Sequence, residues 1–203
     1  VNYIYTPLDL YLKTDRNSGD GLFGTANKGF ENIVARNLSI VADSVGTESL
    51  YLKTDLADHN LLSALVTNNL YIEELRGSLR IGEVASTSGD LYLVADHSII
   101  GTEDSLADLS GRRIYLVAVN GTIGSGTGAG MLNIETAEAI NNGFLKAISE
   151  SDIFIRELTG NLYLYSVESE TGTVYIEAMQ SGQGLRNGRS AGDDGPNIIA
   201  PNR

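Results

Sequence analysis

Residues 69–96 read NLYIEELRGSLRIGEVASTSGDLYLVAD and hold three copies of one small pattern: Leu70-Tyr71-Ile72, Leu79-Arg80-Ile81 and Leu91-Tyr92-Leu93. In each, two aliphatic residues flank a third, and Gly, Ser, Asn or Asp bounds the triplet. That is how short strands separated by turns read. At an offset of 83, residues 152–179 read DIFIRELTGNLYLYSVESETGTVYIEAM and repeat the three strands, with Gly77 and Gly89 landing on Gly160 and Gly172. Ten of the 28 positions are identical, where composition alone would give roughly two. A chain made of copies of one strand-and-turn unit is an array, and its fold must let each copy bury its aliphatic face on the next.

Spacing narrows the choice of array. Similar triplets are centred on Tyr11, Ser39, Tyr51, Tyr71, Arg80, Tyr92, Tyr115, Asn133, Phe154, Tyr163 and Tyr175. From Tyr71 to Phe154 the steps through Tyr92, Tyr115 and Asn133 are 21, 23, 18 and 21 residues, which reads as four turns of about 21 residues per long repeat. Short strands with Gly, Asn and Asp corners and no helical periodicity predict an all-β fold, a parallel β-solenoid of about ten rungs. A sandwich or barrel ranks second, because the pairs Asn120-Gly121, Asn142-Gly143 and Asn187-Gly188 do not consistently separate two matched strands.

A second marker sets the phase: residues 34–40 match residues 117–123 at the same offset of 83, and residues 197–200 repeat residues 32–35 at 165. The expected organisation is one continuous solenoid segment over 1–203, with a partial unit 1–31, units 32–114 and 115–196, and the start of another at 197–203. A rung left open at an end would template association, so self-association end to end, or continuation into further repeats, is the expected partnership. Within a strand, alternation puts Leu79, Leu91, Leu93, Leu162, Val174 and Ile176 inside. The intervening Tyr71, Tyr92 and Tyr115, followed by Phe154 and Tyr175, are then expected as one outward aromatic ladder. Such a ladder either steadies neighbouring strands or offers a platform to a sugar or a partner protein.

Composition excludes more than it assigns. A net charge of −12 works against nucleic acid and anionic membranes, and no apolar run approaches the length of a membrane span. Without cysteine there is no disulfide framework, thiolate metal site or cysteine nucleophile. His59 and His97 lack nucleophile or metal-ligand partners at useful spacing and read as loop residues. The Gly-rich run at 121–130 is not followed by an amphipathic helix, so it reads as a corner and not a phosphate loop. Asp15, Asp43, Asp55 and Asp96 each follow a strand and read as Asx turns. A calcium role would need the nonapeptide or EF-hand spacing, which is missing. No cofactor, metal or catalytic residue is expected.

The succession Asn69-Leu70-Tyr71-Ile72-Glu73-Glu74, Gly77-Ser78-Leu79-Arg80-Ile81-Gly82-Glu83-Val84, Gly89-Asp90-Leu91-Tyr92-Leu93-Val94-Ala95, then Ser98-Ile99-Ile100-Gly101-Thr102 resembles the shaft repeats of giant filamentous-haemagglutinin-like exoproteins. Val45-Gly46-Thr47 with Leu50-Tyr51-Leu52, and Asn120-Gly121-Thr122-Ile123-Gly124, resemble the same family's glycine-corner signature. The resemblance implies a right-handed parallel β-helix, secretion across the outer membrane of a Gram-negative cell, and display as a surface fibre or adhesin. It carries no catalytic residues.

Three functions follow as expectations. The first is a structural shaft of an extracellular filament or adhesin. The second is an adhesive surface binding a cell-surface glycan or protein through the aromatic ladder. The third is a polysaccharide-degrading β-helix of the pectate-lyase kind, which would need unmatched charged residues interrupting the repeat. The clearest interruptions, residues 16–28 and 182–194, are Gly-rich loops, so catalysis ranks last.

Overall fold

The computed structural model describes all residues except 17–18, 25–29, 57–58, 138–141, 191, 194 and 202–203. The chain winds through two parallel sheets. Along the first run β1 (Ile4–Tyr5), β3 (Ile33–Ala35), β5 (Leu52–Leu56), β7 (Leu70–Glu74), β9 (Leu91–Ala95), β12 (Arg113–Ala118), β14 (Phe144–Ser149), β16 (Leu162–Ser169) and β18 (Leu185–Asn187); β19 (Ile198–Ile199) also pairs with β16. Along the second run β2 (Leu10–Lys13), β4 (Leu38–Ala42), β6 (Leu61–Val66), β8 (Leu79–Ser86), β11 (Leu109–Gly111), β13 (Leu132–Thr136), β15 (Ile153–Glu157) and β17 (Val174–Ala178), with β10 (Ile99–Ile100) also on β8. The fold is an all-β parallel solenoid. Paired positions lie 19 to 31 residues apart along the chain, near 23 per turn.

The alternation read from the sequence is what fills the interior. Leu52, Ile72, Leu93, Leu116 and Ala147 follow one another in register across the first sheet, and all are buried. Each Leu or Ile so enclosed contributes about 1.5–3 kcal/mol. Leu79, Leu91, Leu93 and Leu162 are fully buried as expected. Val174 and Ile176 are only partly buried, because β17 is the last strand of its sheet and nothing stacks on its far side.

The phase of the repeat differs from the reading of four turns. β7 is followed along the first sheet by β9, β12 and β14, but its sequence counterpart 83 residues on, β15, stands in the second sheet. The offset is therefore three and a half turns of about 24 residues, and every matched pair swaps sheets: β8 with β16 and β9 with β17 as well. Counting Tyr115 to Asn133 as one turn stepped across the core. The true partner of Tyr115 is Lys146 on β14.

Local bonding nonetheless repeats in detail. Ser86 Oγ donates to Asn68 O (2.7 Å) and accepts from Gly89 N (2.8 Å); Ser169 Oγ does the same with Ser151 O (2.8 Å) and Gly172 N (2.8 Å). Glu74 and Glu157 end their strands pointing inward. Glu74 accepts from Thr54 Oγ1 (2.8 Å) and Leu56 N (2.9 Å), and Glu157 from Thr136 Oγ1 (2.9 Å) and Thr136 N (3.1 Å). Each thus ties down backbone of the preceding turn, and burial pushes both carboxyls up to about 8. Gly46 and Gly124 turn the chain into β7 and β15 at positive φ (62° and 75°), where a Cβ would come 2.6 Å from Tyr71 O and 2.4 Å from Phe154 O. The Gly-rich run at 121–130 is such a corner.

Candidate functional site

The outward residues of the first sheet build a ladder of six rings. Tyr71, Tyr92 and Tyr115 stack nearly parallel, with centroids 4.3 and 4.2 Å apart. Tyr51 meets Tyr71 edge-on at 5.5 Å, and Phe144 meets Tyr115 edge-on at 5.4 Å. Tyr165 then lies 5.1 Å from Phe144 with the planes 30° apart. In-register parallel pairing produces the stack: Tyr71, Tyr92 and Tyr115 are direct partners on β7, β9 and β12.

The sequence brought three of these rings together and misplaced two. Phe154 and Tyr175 are partners of each other, on β15 and β17 of the second sheet, and do not extend the ladder. The half turn hidden in the 83-residue offset is the reason. Tyr51, Phe144 and Tyr165 take the places assigned to them. Phe144 and Tyr165 are found only once β14 is recognised as a strand and the bulge in β16 is counted.

Stacking also changes what the ladder can do. Rings 4.2–4.3 Å apart cover one another's faces, and Tyr71 is only 8% exposed. The middle of the ladder therefore presents edges and hydroxyls, where a sugar platform needs open faces. Burial, then contact with the Tyr115 hydroxyl, raises the Tyr92 phenol well above its ordinary range, and burial raises Tyr51. On the other sheet, Tyr175 donates to Glu177 (2.8 Å), which holds that phenol up and that carboxylate down; Arg156 pairs with the same carboxylate at 2.9 Å.

The aspartates expected to begin Asx turns mostly reach farther. Asp43 accepts from Asn68 (3.0 Å) and Asp96 from Asn120 (3.1 Å), each bridging to the next turn, while Asp55 pairs with Arg76. Asp96 also meets His97 Nδ1 at 2.9 Å. Asp90, missed as a structural centre, is buried and held by both Nε (2.8 Å) and Nη2 (3.0 Å) of Arg112. Asp108 is buried under Thr102 and the Asn133 amide, and its carboxyl is raised by that burial.

A cleft of about 670 Å³ runs along the corners after β8, β11 and β13, lined by Ser86, Thr87, Ser110, Arg112, Glu135 and Thr136. Among the described residues no group of three or more His, Cys, Asp or Glu side chains is placed to hold a metal ion. No helix among them is long and apolar enough to cross a membrane. No family model matches the chain, and no curated protein or solved structure matches it.

Proposed function

We propose that this chain is a shaft segment of a large secreted bacterial surface adhesin or extracellular filament, joined end to end to further rungs of the same kind. One observation carries the reading: the outermost strands leave one edge of each sheet unpaired and half-expose inward residues of the kind the interior rungs bury, Leu10 and Leu12 on β2 and Val174 and Ile176 on β17. An open edge of this type accepts another strand, and covering its apolar residues supplies the driving force. The resemblance of the rung sequence to filamentous-haemagglutinin-like shafts supports the cell-surface setting. The shaft turns over no substrate in this reading, which is supported by inward positions given to packing and outward charges given mostly to pairs between rungs, such as Lys53 with Glu73 and Arg156 with Glu177.

Sedimentation velocity over a concentration series tests the reading. Linear oligomers that grow with concentration are expected. A clean monomer at the highest concentration would contradict it.

A further inference from the structure

At its later end the first sheet alternates rings and cations on its outer face. Arg113 and Tyr115 stand on β12, Phe144 and Lys146 on β14, Tyr163 and Tyr165 on β16, and Arg186 on β18, with Arg113 beside Phe144, Tyr115 beside Lys146 and Tyr163 beside Arg186. Ile114, Leu145, Leu162 and Leu164 between them are buried, so this set faces outward. Arg113 lies 5.3 Å over the Phe144 ring, while Arg189 and Lys146 lie 5.5 and 6.0 Å over Tyr165.

Cations on rings steady any sheet by a little. What sets this patch apart is that, in a chain of net charge −12, its cations are not all spent on carboxylates. Among the described residues neither Lys146 nor Arg186 is in an ion pair. Arg113 donates its Nε to Asn142 O (3.1 Å) and lies 3.8 Å from Asp90, which Arg112 already holds. Arg189 is fixed as a wall by Tyr165 O, Pro196 O and Asp193.

The bulge makes the space. Leu145 pairs with Leu164 but Lys146 with Ser166, so Tyr165 has no partner and its ring tilts 30° from Phe144 instead of stacking flat. A cleft of about 350 Å³ opens there, lined by Arg113, Phe144, Tyr163, Tyr165, Asn187 and Arg189. That volume is at the small end of the range for small-molecule sites. The equivalent bulge in β8 carries Gly82, and its neighbouring cleft, lined by Ser39, Ser63, Leu65 and Glu83, has neither rings nor cations.

We propose that this cleft binds an acidic saccharide, a sugar ring carrying a carboxylate. The C–H face of the sugar packs on the opened Phe144 and Tyr165 rings, Asn187 serves its hydroxyls, and Lys146 at the rim with Arg113 takes the carboxylate. A phosphate polymer fits less well, because an extended polyanion needs a basic stripe along the surface. The site goes beyond the shaft reading and stands without it.

Calorimetric titration of the whole chain with short oligogalacturonates, their methyl esters and polyglutamate tests the site. The acid sugar is expected to bind without being cleaved, about tenfold more tightly than the ester and than polyglutamate. Lys146→Gln and Phe144→Leu should each weaken it by about tenfold, whereas Arg76→Gln, which removes the same charge elsewhere on this sheet, should leave it unchanged. Circular dichroism checks each variant, and Lys146→Gln, at a half-exposed position, carries the test alone if Phe144→Leu does not fold. No binding, equal affinity for the ester or polyglutamate, or an unchanged affinity in Lys146→Gln would overturn the proposal. Sedimentation leaves this result untouched, so either reading can fail without the other.

Discussion

β8 and β16 are the same strand used twice. Both run eight residues, Leu79–Ser86 and Leu162–Ser169, both bury their first, third, sixth and eighth residues, and both carry one unpaired residue at the same place, Gly82 and Tyr165. They stand on opposite sheets. At Gly82 a Cβ would meet Ser63 Oγ at 2.6 Å, so that bulge stays small unless Ser63 turns away; at Tyr165 the ring swings over Phe144 and under two cations. Inward letters thus determine the rung, while the outward letter at the bulge decides what the surface presents. Position in the stack adds a second difference, since Leu91 is sealed by rungs on both sides and its counterpart Val174 by one.

The largest expected effect separates those two counterparts. Leu91→Asp places a charge among buried aliphatics and should cost several kcal/mol, melting at least the rungs around β9. Val174→Asp, half-buried on the last strand, should cost a fraction of that in the same thermal denaturation series. Equal losses would mean that the interior and the end of the solenoid are not distinguished as described.

The next effect should be shared by both copies. Glu74 and Glu157 titrate near 4.5 in an unfolded chain and at about 8 in the folded one, so the fold holds their protons more tightly. Their contribution to stability is complete below about 4.5 and is lost as pH rises to about 8. Stability of the parent should fall by a few kcal/mol across that window, and Glu74→Gln/Glu157→Gln should flatten the decline. A double variant with the parent's slope would show that these carboxyls are ionised where they stand.

A smaller effect tests the divergence at the bulge. Tyr165→Gly should lower stability by about 0.5–1.5 kcal/mol through loss of ring contacts, and Gly82→Tyr should cost about as much by forcing Ser63 aside. If Gly82→Tyr is neutral, the first bulge tolerates a ring, and the difference between the two strands is not one of space.

Much of this fold was legible because aliphatic triplets mark strands whatever their sheet. Phase was not. Phe144–Ser149 turns Leu145, Ala147 and Ser149 inward, so small and polar residues hide a strand that the Leu-x-Leu pattern would have shown, and the turn it completes went uncounted. The same omission sent Phe154 and Tyr175 to the wrong ladder. The bulges leave a trace, two residues instead of one between Ile81 and Val84 and between Leu164 and Val167, that reads as a strand end unless both halves are joined. Glu74 and Glu157 were visible as identities, but a Glu beside a turn reads as solvated until the Thr and backbone donors of the preceding rung are in view.

The central claim is that the repeat advances by three and a half turns, so that the rung following β12 on its own sheet is β14. Cysteine pairs test it directly in a chain with none of its own. Val117 and Ile148 are register partners facing outward, and parallel strands lie about 4.8 Å apart, within reach of a disulfide. Val117→Cys/Ile148→Cys should therefore form an intramolecular disulfide under mild oxidation, and Val117→Cys/Glu135→Cys, the pairing that four even turns would require, should not. The reverse outcome would contradict the account.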